Sequence, residues 1–125
     1  MPHLEVQGAV DLAGFHARFR PRALQDQGRV LRLTEAFLSA RGTSLLLECL
    51  TVEGNLRQSF FALVAAGGGG AMVRLLPRTM PEQTDGVKRC LVWIALWLQS
   101  ETAGATLGKT NLQEWLVLPF AGGEP

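Results

Sequence analysis

The chain has no tyrosine, two cysteines, two histidines and two lysines, against ten arginines. Each scarcity excludes something. Cys49 and Cys90 belong to no Cys-x-x-Cys pair and to no Cys/His cluster, so no zinc-type site is expected. They read as two small buried hydrophobes with reduced thiols. No metal and no cofactor is expected. Apolar runs are short too. The longest, residues 60–73, carries four glycines and is bounded by Arg57 and Arg74, well below the roughly 20 residues of a membrane span. The first residues show neither a basic start nor a usable apolar run, so a signal peptide is not expected and a cytoplasmic location is. Net charge is +1 from 12 basic and 11 acidic residues. That gives no global field for nucleic acid or an anionic membrane, so such binding needs a local patch.

What is present suits one domain. The 125 residues are 47% hydrophobic, enough for a core without metals or disulfides. Residues 1–118 read as a single domain and 119–125 as a mobile tail. Residues 4–12 alternate, with Leu4, Val6, Val10 and Leu12 on one side and Glu5, Gln7 and Asp11 on the other. Residues 15–20 alternate again: Phe15, Ala17 and Phe19 inward, His16, Arg18 and Arg20 outward, until Pro21 stops the strand. Residues 30–40 fit a strand or a helix, and the strand is preferred because it completes a meander with the segments after it. Segments 44–52 and 56–65 flank the turn Glu53-Gly54-Asn55, and 72–76 lies beyond a glycine-rich connection. Asp85 is placed to cap a helix running to about Glu101. Its centre, CLVWIALWL at 90–98, is apolar on every side and also tolerates a strand. A last short element spans 112–118. The fold class expected is α+β: an antiparallel β-meander sheet with one apolar helix packed across it. The alternative is an all-β barrel with 90–98 as a central strand.

Few residues propose chemistry. AGATLGKT at 103–110 fits a loose phosphate-loop pattern, but no strand leads in and no helix leads out, so Gly108, Lys109 and Thr110 are expected to form a turn and bind no nucleotide. His3 lies at a terminus and His16 among arginines, and no serine or cysteine has a motif pointing to it. Glu35, Glu48 and Glu53 share a sheet region without a reason to converge. Glu48, inside LLLECL, is the oddest carboxylate in the chain. Catalytic residues are therefore expected to be absent.

Two surfaces stand out. His16, Arg18, Arg20 and Arg22 would form a strand-borne basic stripe suited to phosphates of a single strand, with Phe60 or Phe61 available to stack if exposed. Cys90, Trp93 and Trp97 would form an apolar stripe on a helix that one sheet can cover on one side only. Exposed indoles would mark a contact between copies. The leading expectation is a non-enzymatic interaction protein that forms a homo-oligomer. The alternatives are a single-stranded nucleic-acid binder and a carrier of a small apolar ligand between sheet and helix. No membrane partner is expected.

Overall fold

The computed structural model describes residues 1–116 and Phe120. Seven strands form one antiparallel sheet: β1 (His3–Gln7), β2 (Arg22–Asp26), β3 (Arg29–Leu38), β4 (Ser44–Glu53), β5 (Leu56–Gly67), β6 (Gly70–Leu75) and β7 (Thr106–Thr110). Their order is β2-β3-β4-β5-β6-β1-β7. Strands β2 to β6 are a meander. β1 then pairs with β6 and brings β7 to the far edge. The helices are α1 (Leu12–Arg18), α2 (Asp85–Ser100) and α3 (Gln113–Leu116). The α+β expectation holds, and 90–98 is helix rather than barrel strand.

The sheet is curled, and α2 lies in its hollow. α2 touches β1, β3, β4, β6 and β7 from the sheet, and α3 beside it. Inward positions alternate along the meander: Leu31 and Leu33 on β3, Leu45, Leu47 and Cys49 on β4, Phe60, Ala62 and Val64 on β5, Ala71, Val73 and Leu75 on β6. All are buried against Val87, Cys90, Leu91, Ile94 and Leu98 of α2. This burial is the main force holding helix to sheet, at about 25 cal/mol per Å² of apolar surface. α2 begins where Thr84 accepts from the Val87 N–H at 3.3 Å. The Glu53 carboxylate caps the same turn by accepting from the Gly86 N–H at 2.9 Å and from the Thr84 hydroxyl. A side chain at Gly86 would collide with that carboxylate, which is why glycine fits there.

Four local expectations need correction. Residues 15–18 are helical. The Asp11 side chain accepts from the Gly14 N–H at 3.0 Å, and Leu12 and Phe15, three apart, are buried on one face. β1 ends at Gln7, before Gly8 at φ +141°, instead of continuing to Leu12. β2 is an additional strand that the sequence pattern does not announce. It joins β3 through the two-residue turn Gln27-Gly28, at φ +52° and +80°, the left-handed pair a tight hairpin needs. The stretch 103–110 contains strand β7, not a turn alone. At the C-terminal end, 113–116 is helix, and residues 117–118 of the expected last element lie outside the described residues. So does the tail 119–125, apart from Phe120, which is buried.

Candidate interaction surface

The two surfaces expected from the sequence meet at Trp97. Trp97 is 2% exposed and Trp93 1%, and Cys90 is fully buried, so the Cys90–Trp93–Trp97 stripe is not a surface of the monomer. A curled sheet plus two flanking segments sheathes α2 on more sides than one flat sheet can. Phe15 meets the Trp97 ring edge-on at 4.7 Å and Phe19 stacks on it at 5.8 Å. The Arg22 guanidinium lies 3.8 Å from the centre of the same ring. Trp97 Nε1 donates to Glu101 at 2.7 Å, and Glu101 also receives Arg18 at 2.9 and 3.1 Å. Trp93 packs against Phe120, their centroids 6.5 Å apart.

The basic stripe is corrected with it. Because 12–18 is helix, His16, Arg18, Arg20 and Arg22 do not line one strand face. Arg18 is engaged by Glu101 and Arg22 by Trp97, leaving Arg20 exposed and His16 half-buried. Lys109 is exposed on edge strand β7, without the loop that would cradle a phosphate.

A charged cluster closes the other end of α2. Arg89 and Asp26 are each 1% exposed and paired through two bonds of 2.7 and 2.8 Å. Arg89 also donates to the Trp115 carbonyl at 2.6 Å and lies 3.8 Å over Phe120. Arg29 stands between Asp26, Glu53 and Asp85 at 3.5–3.6 Å. A cavity of about 210 Å³ opens beside Arg29, Asp85 and Trp115. Cations and carboxylates there satisfy one another, and the network fastens the β2–β3 hairpin to α2. Among the described residues no group of three His, Cys, Asp or Glu side chains is placed to hold a metal ion. Cys49 and Cys90 are buried between β4 and α2 with free thiols. Burial, then the neighbouring Cys90 thiol, pushes the Cys49 thiol well above its ordinary value near 9.

The outer face of the sheet is the surface left open. Cross-strand partners Phe37, Leu46, Leu63, Arg74 and His3 form one straight row across β3, β4, β5, β6 and β1. Phe37 is 50% exposed. Phe61, one row away, is half-buried, its ring 6.4 Å from that of Phe37 across β4. Phe60 points inward and is buried. Val52 extends the apolar band along β4, past Leu50, which is buried, and Met72 extends it onto β6. At the β6–β1 end the face dips into a hollow of about 350 Å³ lined by Met1, His3, Met72 and Arg74. Glu48 stands in the band, held by the Thr34 hydroxyl at 2.7 Å. Arg32, Arg57 and Arg74 rim it and make no ion pair among the described residues.

The sequence does signal this face. A strand with one wet side alternates, but LLLECL in β4 and FFALVA in β5 are apolar at both parities. Among the described residues no helix is long and apolar enough to cross a membrane. No protein-family model, no curated protein and no solved structure matches the chain.

Proposed function

We propose that the protein is a non-enzymatic interaction protein that works as a homo-oligomer, with the outer sheet face as its contact surface and the cytoplasm as its location. The observation that carries this reading is Phe37, half exposed at the head of an apolar band that includes Leu46, Phe61 and Leu63. Part of the composition of the face supports it: phenylalanine, methionine and arginine, types enriched at interface centres, and no lysine, alongside Glu35 and Glu48. Mutual neutralisation of the Asp26–Arg29–Glu53–Arg89 cluster supports a structural rather than catalytic use of those groups. Two unpaired buried thiols suit a reducing compartment.

One observation favours a second reading. Arg20, Arg32, Arg41, Arg57, Arg74 and Arg78 make no ion pair among the described residues, and exposed Phe37 and half-buried Phe61 offer rings for stacking a single strand. Glu35 and Glu48 on the same face weigh against it. Light scattering at tens of micromolar, with a labelled oligonucleotide titrated at low salt, separates the two. The proposed function predicts twice the 13.6 kDa chain mass and no oligonucleotide binding. A monomer that binds the strand, with affinity falling steeply in salt, would replace it.

A further inference from the structure

We infer that the outer sheet face seats a second copy of the chain about a two-fold axis that runs along the strands between Leu46 and Leu63, with Phe37 of each copy entering the hollow beside Arg74 of the other. The inference rests on the proposed homo-oligomeric role and gives it a geometry. In the row Phe37, Leu46, Leu63, Arg74, the midpoint falls between β4 and β5. Strands are spaced by about 4.8 Å, so Phe37 and Arg74 stand about 7 Å to either side of that line. A two-fold rotation about it carries Phe37 onto Arg74 and Leu46 onto Leu63. The protruding ring and the hollow of about 350 Å³ thus meet twice, once in each direction, as an isologous contact requires. The operation also keeps the strands of the two sheets aligned, the common arrangement for stacked sheets.

The chemistry fits the geometry. The phenyl ring of Phe37 would lie on Met72 and under the Arg74 guanidinium, which makes no ion pair among the described residues within its own chain. The same axis sets Glu48, already held by Thr34, against Phe61, with Glu35 beside it on β3. In size, the four strands that the axis relates, β3 to β6, by about eight residues make a face of at most roughly 500 Å², below the roughly 800 Å² per partner of a standard stable interface and in the range of a weak, reversible one.

Phe37→Cys and Arg74→Cys chains of different tag length, mixed and treated with a short bismaleimide, test the pairing directly. The native thiols are buried and stay silent. The inference expects a cross-link between the two different chains and little within the Phe37→Cys population alone, whose positions would lie about 14 Å apart laterally. In a second arm, Phe37→Arg should weaken the dimer at least about 30-fold, the size of an interface hot spot. Adding Arg74→Glu to it should restore association by making opposite charges face each other. A dimer by scattering with no mixed cross-link and no rescue overturns the geometry and leaves the homo-oligomeric role standing. A monomer under all conditions overturns both.

Discussion

Replacing Arg89 with methionine should cost about 3 kcal/mol of folding stability. Arg89 and Asp26 are each 1% exposed and joined through two short bonds. Removing one partner of a buried pair leaves an uncompensated charge, which costs about 3–5 kcal/mol. Arg29, 3.5 Å from the Asp26 carboxylate, offsets part of that and sets the lower figure. The Trp115 carbonyl also loses its donor. Urea unfolding is the assay. With a slope of about 1.5 kcal/mol per molar, the midpoint should fall by about 2 M. The double variant Asp26→Leu/Arg89→Met should lie within about 1–2 kcal/mol of the parent, because apolar pairs of similar size often replace buried ion pairs without loss. A single variant that loses less than about 1 kcal/mol, or a double variant as unstable as the sum of the two singles, would refute the view that these groups are desolvated and coupled.

Glu101→Ala removes the acceptor of Trp97 Nε1 and the partner of Arg18, so thermal unfolding should report a loss of about 1–2 kcal/mol. The Cys49 thiol keeps its proton in the folded protein after the unfolded chain has lost it. Stability should therefore be complete below about pH 9 and decline above it by about 1.4 kcal/mol per pH unit, a slope that Cys49→Ala abolishes. Because both thiols are buried, a thiol reagent at about pH 8 should label Cys49 and Cys90 only as the protein unfolds, and fast labelling of the native state would contradict that burial. Lys109→Ala should change neither stability nor nucleotide affinity, as isothermal titration with ATP would show. Glu48→Leu should tighten self-association, read as a lower dissociation constant by sedimentation, because it removes the carboxylate nearest the proposed axis.

The meander and α2 are legible in the sequence because their signals are local. Leu31 and Leu33, Leu45 and Leu47, and Ala62 and Val64 repeat with period 2, and Gly54-Asn55 marks the turn between β4 and β5. β2 is illegible because RALQD holds little apolar surface. Of its inward positions only Leu24 is apolar; Arg22 and Asp26 engage Trp97 and Arg89, partners distant in the chain. α1 carries two patterns at once: Phe15, Ala17 and Phe19 satisfy a strand while Leu12, Phe15 and Phe19 satisfy a helix, and the Asp11 cap decides between them. The indole stripe is exposed only on the premise of a flat sheet. Nothing local in 85–100 shows that Phe15, Phe19 and Arg22 fold over Trp97. The outer face is legible in principle, in the failed alternation of β4 and β5, but which residues form its rows depends on the register across five strands.

Sedimentation equilibrium of the parent chain and of Phe37→Arg, side by side at tens of micromolar, puts self-association through the outer sheet face to the test. Association through that face gives twice the 13.6 kDa chain mass for the parent and a single-chain mass for the variant, whose substitution on an exposed sheet position leaves the core untouched. A parent of 13.6 kDa at every concentration, or a variant that remains as large as the parent, would contradict it.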